Sequence, residues 1–295
     1  MEYLVQQIIN AVSLGGIYAL LALGLAVVFS IVGLINFAHG ELMTVAGYVI
    51  FFMLSLAAPL VAAVMLGIAA SAIAALTTER LAFRPMRKAD VTGLLITSFA
   101  VSVILRVIFQ NGISARPKPI AMPQSLSGAI DLGFATVGIV PLISIAVSVV
   151  ALFALTRFLK LTVLGTAMRA AAEDFAVVRL MGVRANHVVA VAFAVSGVLA
   201  GTAAFLWIAQ RGSVDPLMGF VPVLKAFVAA IIGGLGSLSG AVAGGLVLGV
   251  LEVLFQAYLP NVLLPFRDAF VLGLVILILI FRPEGLIPAP SVRRS

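Results

Sequence analysis

The sequence predicts an all-α integral membrane protein, a polytopic bundle of about eight or nine membrane segments with some of them broken. Three observations predict it. The 295 residues are 63% hydrophobic and only 10% charged, where soluble domains carry about 25% charged residues. Mean hydropathy is +1.26. Apolar stretches of about 20 residues, enough to cross a hydrocarbon core of about 30 Å as helices, recur from end to end. No stretch is left over for a soluble domain, so residues 1–295 read as a single transmembrane domain. The first residues lack the basic segment and small-residue site of a cleavable signal. The net charge of +7 sits in loops beside span ends, where Lys and Arg set orientation, and does not suggest nucleic acid. With no cysteine, disulfides, iron–sulfur clusters and thiolate metal sites are excluded.

In chain order, hydropathy places spans near 8–30, 34–56, 58–78, 91–110, 136–156, 188–209, 223–236, 239–258 and 267–281. The seventh is short for a full crossing and reads as a half-span. Lys and Arg gather in three places. The first holds Arg80, Arg84, Arg87 and Lys88. The second holds Arg157, Lys160, Arg169, Arg179 and Arg184, and the third Arg282, Arg293 and Arg294. The positive-inside rule puts all three on the cytoplasmic side. Segments 111–135 and 210–222 then lie outside, as does the N-terminus, which carries Glu2 and no nearby cation. Arg106 stands about one turn from the outer end of its span, as a snorkelling side chain does. Trp207 and the other aromatics suit interface anchoring.

Between the first two spans the chain reads Asn-Phe-Ala-His-Gly-Glu, residues 36–41. A carboxamide, an imidazole and a carboxylate at membrane depth are costly unless they face protein or a water-filled path. A backbone break there must also line a cavity or be packed in protein. Asn36, His39 and Glu41 are therefore candidates for the translocation path, with a short extramembrane turn as the alternative. The Gly-interrupted stretches 33–47 and 233–249 hint at an internal repeat, since paired broken segments point to a binding region at the midplane. Glu252, inside its span, either faces the path or pairs with a cation such as Lys225 or Arg267.

The longest polar stretch, 157–187, carries Met168, Ala171, Ala172, Phe175 and Val178 at helical spacing. Arg169 and Glu173 lie one turn apart elsewhere on the helix, and Gly182 ends the pattern as a C-cap does. A helix over about 166–181 follows. Its apolar stripe fills a groove on a soluble partner, lies on the membrane surface or packs against its own span ends. Gly236, Gly240 and Gly244 are spaced by four, as are Gly197 and Gly201. Small residues at that spacing let helices approach closely in lipid. The stretch Gly-Gly-Leu-Gly-Ser-Leu-Ser-Gly at 233–240 lacks the Lys-Ser/Thr of a phosphate loop, so the chain has no ATP site of that kind. His187 reads as a helix-start or interface residue. No metal-ligand cluster and no supported nucleophile motif is visible, and no cofactor is expected.

Four stretches carry a family resemblance: Gly-Leu-Ile-Asn-Phe-Ala-His-Gly-Glu at 33–41, Ala-Met-Arg-Ala-Ala-Ala-Glu-Asp-Phe at 167–175 with Leu-Met-Gly-Val at 180–183, the glycine run at 233–240, and Phe-Arg-Pro-Glu-Gly-Leu at 281–286. Over nearly its whole length the chain resembles a permease of branched-chain amino-acid ABC importers, the shorter, first one of the pair. The resemblance implies a multi-pass protein of a bacterial inner membrane, surrounded by lipid, with its C-terminus cytoplasmic. It implies a second, similar permease, two cytoplasmic ATPases and an extracytoplasmic binding protein as partners. It also implies that the loop around Arg169, Glu173, Asp174, Phe175 and Gly182 enters a cleft of an ATPase. Related permeases carry urea, amides or aromatic acids. The rival from another class is a proton-coupled secondary transporter with His39 and Glu41 as relay, and a third reading is a purely structural membrane subunit.

Overall fold

A computed structural model describes residues 2–86, 89–123, 126, 128–131 and 136–287. Arg87, Lys88, Arg293 and Arg294, counted above among the basic clusters, lie outside the described residues. The described chain forms eleven α-helices. They are α1 (Glu2–Val32), α2 (His39–Ser55), α3 (Leu60–Thr78), α4 (Val91–Gly112), α5 (Ile139–Leu161), α6 (Val163–Glu173), α7 (Phe175–Leu180), α8 (Ala185–Arg211), α9 (Phe220–Gly233), α10 (Leu238–Tyr258) and α11 (Arg267–Phe281). A π-helical turn, Glu79–Phe83, prolongs α3. Among the described residues, seven helical stretches are long and apolar enough to cross a membrane, and α2 and α9 are shorter apolar helices. Every span expected from hydropathy thus has its helix, and α9, with 14 residues, is short as expected.

The helices divide by burial. The most apolar windows of α1 and α8 are 83% and 72% buried, those of α4, α5 and α11 only 17%, 17% and 11%. Two central helices are therefore wrapped by others that keep a lipid-facing side, as a bundle without a water-driven core requires. α1 packs on α10, α8, α5 and α9, and α8 packs on α1, α3 and α2. Trp207 corrects the anchoring expectation, because it is buried in α8 with the Arg211 guanidinium 4.0 Å over its ring. The segments expected on the same outer side do meet. A two-residue strand, β1 (Lys118–Pro119), pairs antiparallel with β4 (Ser213–Val214), while β2 (Ala129–Asp131) and β3 (Thr136–Gly138) form a hairpin.

Close approach of backbones explains many of the glycines. A side chain at Gly197 or Gly201 would meet the α3 backbone at 2.7–2.8 Å, at Ala72 and Ile68. There Ser71 Oγ donates to the Gly197 carbonyl at 2.7 Å. Gly240 lies against the Gly233 carbonyl and Gly244 against that of Ala229, so α9 and α10 touch along one edge. Gly236 is a correction: it is not a crossing residue but a turn residue with φ +84° between those helices, a conformation glycine adopts without cost. The second broken stretch is also narrower than expected. The break is 234–237, and α10 runs unbroken through Gly249.

The expected single helix over 166–181 is two helices, which is a further correction. The chain extends at Asp174 (φ −152°, ψ 100°), whose carboxylate accepts from Val177 N at 3.0 Å. Asp competes for backbone donors and favours a cap over a helix interior. Thr162 caps α6 the same way, accepting from Gly165 N at 2.9 Å. The apolar stripe turns toward its own bundle. Met168, Ala171 and Val178 are buried and Phe175 half-buried, while Ala172 is exposed. Of the readings open to that stripe, packing against its own span ends is the one found. The outward side holds Arg169, Glu173, Asp174 and Gly182 together with Leu180 and Met181, 87% and 77% exposed. Gly182, at φ +81°, ends the pair of helices.

Candidate functional site

The break after α1 turns back into the bundle. His39, the first residue of α2, is fully buried, and its imidazole occupies the place a side chain on Gly24 would take. Gly24 lies eight residues before the end of α1, about 12 Å along the axis at 1.5 Å per residue. α2 therefore begins beside α1 and inside the bundle, not in a turn that projects past the end of α1. Locally, Asn36 Oδ1 accepts from Ala38 N at 3.1 Å, which makes the tight turn that starts α2. His39 Nδ1 is 2.9 Å from Ser196 Oγ on α8.

α9 begins at the same place. Gly40 and Gly219, the residue before α9, face each other so closely that a Cβ on either would strike the other's carbonyl. The N-terminal ends of two short helices thus converge inside the bundle. Each brings the positive end of a helix dipole.

A charge of the matching sign stands there. Glu41, in the first turn of α2 and 1% exposed, accepts from Ser102 Oγ at 3.0 Å and pairs with Arg106 Nη2 at 3.4 Å. Arg106 also donates to Ser102 Oγ at 3.3 Å, and its guanidinium lies 4.2 Å over the ring of Phe220, the first residue of α9. Arg106 therefore corrects the snorkelling expectation: it turns inward. Glu41 and Tyr48 fall on one face of α2, and Ser102, Arg106 and Phe109 on one face of α4. Tyr48 stacks on Phe109 at 5.3 Å. Phe37, in the break, stacks on Phe99 of α4 at 4.3 Å and meets Phe227 of α9 at 5.6 Å. A polar seam edged by aromatic rings runs between α2 and α4 and touches the start of α9.

Among the buried side-chain polar atoms of the described residues that make no hydrogen bond by strict geometry, Glu41 Oε2, Tyr48 OH and Arg106 Nε lie along this seam and Asn36 Nδ2 lies in the break before it, whereas the His39 imidazole faces α1 at Gly24. Buried polar atoms are nearly always satisfied. Their grouping here makes the seam a buried polar strip between α2 and α4.

Glu252 lies elsewhere. Tyr18 OH donates to its Oε2 at 2.7 Å, and Lys225 Nζ and Arg267 Nη2 meet its Oε1 at 2.6 and 3.1 Å. Asp268 completes the cluster at 3.3 Å from Lys225 and 3.2 Å from Arg267. Of the alternatives for Glu252, pairing is the one found, and it ties α1, α9, α10 and α11 together. The sequence also gave no hint of what closes the far end of α9. Leu286 N and Ile287 N donate to the carbonyls of Ile232 and Gly233 at 2.8 and 2.9 Å. The Phe-Arg-Pro-Glu-Gly-Leu stretch thus satisfies the carbonyls that the end of a helix leaves over.

A helical membrane bundle with two helices that start inside it, at a buried ion pair, is the architecture of a membrane transport component. The chain belongs to the family of branched-chain amino acid transport system permease components, whose pattern it matches over residues 7–280. It is 35% identical to the high-affinity branched-chain amino acid transport system permease protein BraD of Pseudomonas aeruginosa, over 98% of this chain and 97% of that one. It is 34% identical to the permease LivH of Escherichia coli K12, over 99% and 98% of the two chains. The permease LivM of the same organism is 29% identical, over 95% of this chain and 70% of that longer protein. No solved structure matches.

Proposed function

We propose that the chain is the shorter permease of an ATP-driven importer and moves branched-chain amino acids across a bacterial inner membrane by alternating access. The observation that carries the reading is the convergence of α2 and α9 on the Glu41–Arg106 pair. Two helix starts that meet inside a bundle make a polar region beside which a zwitterionic cargo can pass. Asn36, His39 and Glu41 line that path, and Glu252 belongs to the scaffold that holds α9.

The complex contains a second related permease, which covers the polar seam, two cytoplasmic ATPases and an extracytoplasmic binding protein that selects the cargo. The names of the LivH and LivM relatives support the pairing of two permeases. The loop of α6 and α7 faces the cytoplasm, as does the C-terminus. It meets an ATPase with its outward side, through Arg169, Glu173, Asp174, Leu180 and Gly182, while Phe175 braces the loop from behind. ATP binding at those subunits supplies the differential affinity that shifts the bundle between its two states.

Uptake of labelled leucine by the reconstituted complex tests this. Uptake should require ATP, survive a protonophore and fall in maximal rate for Glu41→Gln while the ATPases still co-purify. Uptake abolished by the protonophore in the presence of ATP would instead support the proton-coupled reading. A cysteine placed at 41 that reacts freely from outside, whatever the nucleotide state, would remove the residue from the path.

A further inference from the structure

We propose that the basic end of the bundle holds a binding site for the phosphate headgroup of an anionic phospholipid. A cavity of about 1140 Å³ opens there, between the end of α1, the π-turn after α3, α7 and the start of α8. Arg80, Arg84, Arg179 and Arg184 line it, all exposed. Among the described residues none of these four guanidiniums has an ion-pair partner. Glu79 is the one carboxylate in the lining, and it is 2% exposed. Four like charges around one space repel. An anion with several acceptor oxygens relieves this, since guanidiniums engage phosphate oxygens two at a time.

Two observations favour a lipid over a free phosphate. The cavity floor is apolar, with Ile31 and Val189 buried and Phe175 half-buried, which suits a glycerol backbone and disfavours a fully hydrated ion. Next to Arg80, Leu81 is 75% exposed, at the end of a 24-residue apolar stretch, Leu60–Phe83. The arginines thus sit where membrane helices end, the depth of lipid phosphates, and a basic pocket between such helix ends is a headgroup site in form.

Native mass spectrometry of the full-length chain in detergent, with phosphatidylglycerol, phosphatidylcholine or inorganic phosphate added, tests the site. The parent should retain phosphatidylglycerol over phosphatidylcholine. Arg80→Gln with Arg84→Gln should lower that retention on the order of tenfold, and Arg157→Gln, on α5 outside the cavity, should not. Equal retention in parent and double variant would overturn the proposal. So would displacement of the lipid by millimolar inorganic phosphate, or loss of the ATPases from the double variant with lipid retention unchanged. The last result would give the surface to a soluble partner. Should the double variant fail to fold, a photoactivatable phosphatidylglycerol on the parent decides. Labels within 79–85 and 179–190 support the site, and labels only elsewhere overturn it.

Discussion

Glu41 and Arg106 are 65 positions apart in the chain and meet through a single face of each helix. Glu41 is buried and Arg106 keeps 20% of its side chain exposed, so the pair is worth less than a fully buried one but more than a surface one. Arg106→Met leaves Glu41 with Ser102 alone, and we expect a loss of about 2 kcal/mol in thermal stability of the purified chain. Adding Glu41→Gln should restore part of it, because the stranded charge is gone. A double variant no more stable than Arg106→Met would show that the two side chains do not couple. That Asn36, His39 and Glu41 are buried was legible in the sequence, since polar residues between two apolar runs are hard to place otherwise. Their partner was not. Hydropathy gives the height of Arg106 in its span but not its rotational facing, and the aromatic ring that holds it, Phe220, comes from a helix over a hundred residues later. Glu252 shows the same limit: its candidate cations could be named, but pairing needed three helices in place.

At the level of elements, helix existence was legible because each span must satisfy its own backbone in lipid. The break within the α6–α7 loop was not, because one capping aspartate outweighs a continuous periodicity only when the following helix can rotate to its own buried face. Asp174→Ala should cost about 1 kcal/mol. Hydrogen exchange should show faster exchange over α7 and unchanged exchange in α8, and equal protection of α7 would show that the cap does not hold it. The glycine spacing located two tight crossings and over-read a third position, Gly236, whose role is conformational. Gly197→Leu and Gly240→Leu should each reduce the folded, monodisperse yield in detergent several-fold, since each side chain would meet backbone within 3 Å. Gly273→Leu on α11 has no atom within 4 Å of the added carbon and should leave the yield unchanged. Folded yields alike for all three would mean that these helices do not need close approach.

On the scale of the whole molecule, α1 and α8 are sealed inside while α4 stays open. On α4, Ile96, Phe99, Val103 and Val107 form one outward stripe, each 44–64% exposed, on the helix that carries the partner of Glu41. An apolar face alone would suit lipid, but this one flanks the seam with its unsatisfied atoms. We expect single cysteines at these four positions to lose reactivity toward a membrane-permeant thiol reagent when the second permease is co-expressed. Cysteines at Ile276 and Ile280 of α11, 59% and 70% exposed, should keep theirs. Equal reactivity at all six positions with and without the second permease would place the interface on another side.

The depth at which α2 begins has a consequence for how the protein is made. α2 and α9, with 17 and 14 residues, span about 26 and 21 Å, less than the hydrocarbon thickness. Neither is a good independent insertion unit. His39 reaches its place only against Ser196, 157 residues further along the chain. At translation rates of about 5–20 residues per second, the imidazole must wait roughly ten to thirty seconds for α8 to emerge, whereas the Glu41 carboxylate meets Ser102 and Arg106 on the earlier α4. The surroundings of His39 are thus completed late in synthesis, and a chain truncated before residue 196 lacks the serine that its imidazole meets.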